Sequence, residues 1–217
     1  MKNNPVDIFL SLIFLNKCPY CRKTIKPDMT ECKECFESFP QHPKKMITSA
    51  GISCIAPFGY HSKIRDSIID FKFNGNSFNA KSYSKALCNT IEYFNMLDDF
   101  DLITFVPLSK KRKNERGFDQ SELVAEYVGK YLDKKVKALL KKTRQTKNQH
   151  ELNSAQRAEN VRNIYTAVNA GFIKEKNILL IDDIATTGNT LSECCRVLKE
   201  NGAKNIICMT IAITGAV

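Results

Sequence analysis

The 217-residue sequence has no hydrophobic run long enough to cross a bilayer. Its longest apolar stretch, Val6 to Leu15, is broken by Asp7 and Ser11 and spans about half the ~20 residues a membrane helix needs. That stretch also lacks a strongly basic lead-in and a small-residue cleavage site, so it reads as a docking helix of a cytoplasmic protein without membrane insertion. Internal repeats and low-complexity tracts are absent, and 43% hydrophobic residues exclude wholesale disorder. The length leaves room for one medium domain and a small appendage.

Negative charge is in short supply as well. Lys plus Arg number 33 against 23 Asp plus Glu, a net of +10. The excess is concentrated between Lys110 and Lys147, where thirteen basic residues stand against five acidic ones. Such a band suits phosphates, on a small ligand or on nucleic acid; its alternative is a solvated basic face.

Cysteine, by contrast, is plentiful, with nine in all. Cys18 and Cys21, then Cys32 and Cys35, form two CxxC units ten residues apart. Four thiolates at about 2.3 Å complete a closed tetrahedral zinc site, structural rather than catalytic. Two units at ribbon spacing favour zinc over the redox reading of a lone CxxC, and zinc lets a short segment fold with little core of its own. The other five, Cys54, Cys88, Cys194, Cys195 and Cys208, lie in apolar or helical contexts with no histidine beside them, as buried core thiols do.

After Pro40 and Pro43, periodicity predicts a strand at Ile52–Ala56, a helix over Lys63–Phe73 ended by Gly75, and a second helix from Ala80 to Met96. Leu102–Val106 reads as a central strand followed by a cation-crowded loop, Ser109 to Arg116. Asp119 and Glu122 form a capping box for a helix whose stripe is Leu123, Val124, Tyr127, Val128, Tyr131 and Leu132. Val136–Leu140 reads as the next strand, and the long polar stretch from Lys141 to Asn163 as a loop.

Asn177–Ile181 is an apolar strand run, followed by Asp182-Asp183, a small polar loop and a helical pattern that ends near Asn201-Gly202. That order brings carboxylates to the carboxyl end of a strand and then presents backbone N–H groups at a helix N-terminus. A ligand with a vicinal diol and a phosphate suits both ends. The acids accept from the hydroxyls, Thr186, Thr187, Gly188, Asn189 and Thr190 wrap the phosphate, and Gly188 permits close backbone approach.

Residues 178–190 resemble the phosphoribosyl pyrophosphate motif of type I phosphoribosyltransferases. Phe105-Val106-Pro107-Leu108, Arg116-Gly117-Phe118-Asp119-Gln120, Tyr60…Arg65…Lys72-Phe73-x-Gly75 and Arg144…Gln149…Arg157…Asn160 are similar to segments of the ComF competence family, with Asp119 where Asn is more usual. The resemblance implies an α/β fold: a type I phosphoribosyltransferase-like core of mainly parallel sheet flanked by helices over residues 44–217, behind an N-terminal helix and four-Cys zinc ribbon over residues 1–43. It implies Asp182 and Asp183 as the catalytic pair, with Ala185, Thr186, Thr187, Gly188, Asn189 and Thr190 completing a site for phosphoribosyl pyrophosphate and Mg²⁺. Lys110, Lys111, Arg112, Arg116, Arg144 and Arg157 would serve the pyrophosphate or the loop over it.

Two functions stay open on these residues. One is a competence protein that binds phosphoribosyl pyrophosphate and handles imported single-stranded DNA in natural transformation, alongside other DNA-uptake or processing proteins. Lys110, Lys111, Arg112 and Lys113 would then contact DNA, and Tyr60, Phe73, Tyr83 and Phe118 either stack bases or fill the core. The alternative is an active phosphoribosyltransferase, for which no acceptor site is legible.

Overall fold

The computed structural model describes residues 16–40, 42–48, 50–143 and 163–215. The predicted docking helix at Val6–Leu15, and Arg144 and Arg157, lie outside them. The strands are β1 (Lys44–Ile47), β2 (Ser53–Ala56), β3 (Phe58–Gly59), β4 (Leu102–Phe105), β5 (Leu140–Lys142), β6 (Tyr165–Ala167), β7 (Asn177–Ala185) and β8 (Asn205–Ile213). The helices are α1 (Lys33–Glu37), α2 (Ser62–Phe73), α3 (Asn79–Tyr93), α4 (Lys110–Arg116), α5 (Gln120–Leu132) and α6 (Asn189–Glu200).

The main sheet runs β1-β2-β8-β7-β4, with β3 also on β8; every pairing is parallel except β1 with β2. β7 and β8 are apolar because both their faces are covered. Leu179, Ile181, Met209 and Ile211 face the helices α2, α3 and α5, packing with Ile68, Phe71, Tyr83, Leu87, Val124 and Val128. Ile178, Leu180 and Cys208 face the other way, toward Cys194, Cys195 and Leu198 of α6 and toward Leu139, Leu140 and Tyr165. The five later cysteines are all buried and unpaired, as expected of core thiols.

Three elements depart from the sequence reading. β4 is buried at all four residues yet ends the strand path, so it is not central. Only a parallel bridge from Val136 to Ile103 extends the sheet beyond it. The predicted Val136–Leu140 strand stops at that bridge because Leu139 N–H donates to the Thr104 hydroxyl instead of a strand carbonyl, and the chain moves off to pair β5 with β6. The stretch expected as a loop, Ser109–Arg116, is mostly helix α4, N-capped by Ser109 and closed by Gly117 at φ 80°. The capping box is half present: Asp119 accepts from the N–H groups of Ser121 and Glu122, but Glu122 pairs with Lys113 instead of returning to the cap.

The four-Cys module shares its core with the main domain. Cys18, Tyr20, Ile25 and Cys35 belong to the same buried cluster as Phe58, Phe71 and Tyr83. The Tyr20 hydroxyl is 2.9 Å from that of Ser82, and Phe39 sits edge-on to Phe58 at 4.9 Å. Glu31, buried, accepts from Ser82 at 2.7 Å and from Lys85 at 3.0 Å, both on α3. No described helix is long and apolar enough to cross a membrane.

Candidate active site and metal centre

β7 carries the acid pair further than its apolar run suggests. The strand continues through both acids to Ala185, held in register by β8 (Asp182 against Thr210, Ala185 against Ile213). Asp182 Oδ1 accepts from the Ser121 hydroxyl at 3.0 Å and from the Asp183 N–H at 2.8 Å. Asp183 Oδ2 lies 2.8 Å from Lys72 Nζ, an ion pair largely withdrawn from solvent. Burial, and then the charge of Asp183, push the Asp182 carboxyl up to about 7, against the opposing pull of Lys72 and the Ser121 hydroxyl.

Past Ala185 the chain turns into α6. Gly188 has φ 74° and stands at the N-cap of α6, where it offers no side-chain cap. A Cβ at Gly188 would sit 2.7 Å from Thr48 Cβ, so glycine is required both by the left-handed backbone and by the fit against the β1–β2 turn. The Ser192 hydroxyl, 3.0 Å from that of Thr48, ties the same contact down. Gly188→Ala is therefore expected to cost roughly 2–3 kcal/mol, about 5–10 °C of Tm in a domain of this size. Thermal denaturation checks this, with Thr48→Gly restoring only the steric part.

These elements enclose a cleft of about 280 Å³, lined by the acid pair, the 184–191 turn, Val106 to Leu108, Tyr60, Lys72, Arg112, Arg116, Lys142 and Tyr165. Helix α4 sorts its cations by face: Arg112 and Arg116, one turn apart, enter the cleft, while Lys110, Lys111 and Lys113 are exposed outside it. The structure thus brings together only part of the predicted pyrophosphate set. Burial and then the charge of Arg112 push the Lys142 ammonium down, and burial does the same to the Arg116 guanidinium. This cluster of desolvated like charges would be relieved by an anion among them.

Lys72, Ser121, Lys142, Tyr165 and Tyr60 are the cleft-side groups that sequence reasoning did not place there. Lys142 is one of thirteen cations in the band, Lys72 stands only in the family-like pattern, and Tyr60 stands there and among the candidate base-stacking aromatics; nothing marks Ser121 or Tyr165.

In the N-terminal module, the Cys18, Cys21, Cys32 and Cys35 sulfurs all lie within 4.8 Å of one another, with Cys21 and Cys32 at 3.6 Å. Four thiolates at ~2.3 Å from one tetrahedral ion stand about 3.8 Å apart, so the spacing fits a metal. It is too wide for disulfides, and all four cysteines are free. The first knuckle turns on Arg22 at φ 64°, and Cys32 N–H reaches Cys18 Sγ at 3.5 Å, the kind of bond that supports a ligating thiolate. The four sulfurs close the shell, so the cluster is suited to a structural ion.

A phosphoribosyl transferase domain model matches residues 119–216, which include the acid pair and the turn after it. Competence protein ComFC of Streptococcus pneumoniae is 30% identical over 191 residues, covering 87% of this chain and 77% of that protein. Competence protein F of Haemophilus influenzae is 24% identical over 195 residues, 87% of this chain and 81% of that one. DNA utilization protein YhgH of Escherichia coli O6:H1 is 25% identical over 202 residues, 89% of this chain and 84% of that one.

Proposed function

Because the chain belongs to the ComF family of competence proteins, we propose that it is a cytoplasmic protein that binds phosphoribosyl pyrophosphate with Mg²⁺ in its cleft and handles imported single-stranded DNA. The observation that carries the first half is the juxtaposition in one cleft of the acid pair, the Gly188 turn and the half-buried cations Arg112, Arg116 and Lys142. Asp182 and Asp183 accept from the ribose hydroxyls. The turn from Ala185 to Thr190 surrounds the 5′-phosphate with backbone N–H groups and the Thr186, Thr187 and Thr190 hydroxyls. The cations face the pyrophosphate, whose charge Mg²⁺ offsets when bound with the ligand. If the chain turns over, preorganised cations that stabilise departing pyrophosphate supply most of the rate. Release of pyrophosphate in the presence of candidate acceptors tests that alternative. The four-Cys ion is zinc, for which four soft thiolates in a closed shell are the natural donor set.

The DNA half rests on the exposed cations of α4 and on the competence and DNA-utilization names of the relatives. Neutralising Lys110, Lys111, Arg112 and Lys113 together is expected to weaken binding of a short oligonucleotide and to flatten its salt dependence. Each phosphate contact contributes about 0.7 to the slope of log K against log salt, so the loss is at most about 2.8. Fluorescence anisotropy across a salt series measures it, and an unchanged slope would rule out α4 as the DNA surface. Arg112 lines the cleft, so phosphoribosyl pyrophosphate should compete with DNA in the wild-type chain.

A further inference from the structure

Of the four aromatic residues able in principle to stack bases, the fold withdraws two. Tyr83 is fully buried, and Phe118 packs against Phe71 with centroids 5.3 Å apart. Tyr60 is part of the cleft wall. Phe73 differs from all three: its side chain is at the solvent, with 69% of the residue exposed. A lone exposed hydrophobe is ordinary, but the position of this one is not. It is the last residue of α2, directly after Lys72, whose ammonium holds Asp183 inside the cleft. The Arg116 guanidinium lies 5.1 Å from the ring centroid, and Arg116 is both the last residue of α4 and a cleft-lining side chain. Gln120 Oε1 accepts from Arg116 Nη1 at 2.8 Å and fixes the guanidinium there, and Gln120 is itself fully buried. An aromatic face and a planar cation therefore meet at the edge of the cationic cleft, at the C-terminal end of the helix that carries the exposed lysines.

We propose that Phe73 and Arg116 form a nucleobase-stacking subsite at the mouth of the cleft, which takes a base of a single-stranded DNA whose phosphates follow the cations of α4. The inference rests on the DNA reading above and adds to it where the bases go. The chemistry is sequence-tolerant, because every base offers a π-face to the phenyl ring and the guanidinium, while the flanking lysines meet only phosphate. The ligand favoured by this arrangement carries bases on a flexible anionic backbone, since a duplex keeps its base faces covered.

The test compares a thymidine dodecanucleotide with an abasic deoxyribose-phosphate strand of the same length. Wild-type protein should bind the base-bearing strand more tightly. Phe73→Leu should weaken that binding about 5- to 100-fold, the range seen for one stacked base, while leaving abasic affinity within about twofold, which also verifies the fold of the variant. The sequence contains no tryptophan, so Phe73→Trp creates a chain with a single indole reporter. Its emission should be quenched by the thymidine strand and not by the abasic one. Binding of the thymidine strand that is indifferent to Phe73→Leu, with no quenching, would overturn the subsite and leave the DNA reading intact. No binding of either strand by the wild-type chain would overturn the DNA reading and the subsite together.

Discussion

Replacing Cys35 with Ser, or stripping the ion with a chelator, is expected to unfold the four-Cys module and to lower the melting temperature of the whole protein by roughly 10 °C or more. The size of the effect follows from the shared core. Tyr20 and Cys35 are buried in one cluster with Phe58 and Tyr83, and a module without its ion leaves those partners facing water. Uncovering each large side chain costs about 1.5–3 kcal/mol, and 1 kcal/mol is worth about 2–4 °C in a domain of this size. The Arg22–Asp70 ion pair would go as well. Metal analysis of the wild-type chain should give one zinc. A chain that holds none and melts unchanged after Cys35→Ser would refute the ribbon.

The second large effect belongs to the acid pair. Asp183→Ala should weaken phosphoribosyl pyrophosphate binding about 10- to 100-fold, the worth of one charge-assisted hydrogen bond, and would also leave the half-buried Lys72 ammonium unpaired. Asp182 adds a pH signature. Its folded carboxyl is raised from 3.8 to about 7, so the folded state holds its proton across pH values where the unfolded chain has released it. The stability contributed by this group is complete below about 4 and is lost as pH rises through about 7. Ligand binding runs the opposite way: the carboxylate is the better acceptor for a hydroxyl, so affinity should climb toward pH 7 by at most about tenfold per unit and then level off. Asp182→Asn should flatten both profiles. Calorimetry at several pH values, beside thermal melts of the same samples, would reveal a carboxylate that titrates normally if the two curves fail to oppose each other.

What could be read from the sequence was the chemistry that is contiguous. The acid pair, the 185–190 turn and the two CxxC units each present their groups within a few residues, so local spacing is enough to single them out as candidates. The strand beneath the acids was legible as an apolar run, but its extension to Ala185 depends on pairing with β8, which no local pattern reveals. Helix α4 escaped recognition because none of its residues is buried and a basic run offers no apolar stripe, although Ser109 and Gly117 cap it in sequence. For the same reason the charge band could not say which cations serve the cleft: the helix turn selects Arg112 and Arg116, and β5 brings Lys142 from the far end of the band. Lys72 and Ser121 reach the acids from α2 and α5, elements remote in sequence from β7, and only the assembled sheet and helices bring them there.

Isothermal titration of the zinc-loaded wild-type chain with phosphoribosyl pyrophosphate in the presence of Mg²⁺ tests the central claim most directly. Saturable binding at one site per chain, weakened by Asp183→Ala and by Arg112→Ala/Arg116→Ala, is the predicted result. No heat and no competition with DNA at millimolar ligand, from a chain that retains its zinc and its cooperative melt, would contradict it.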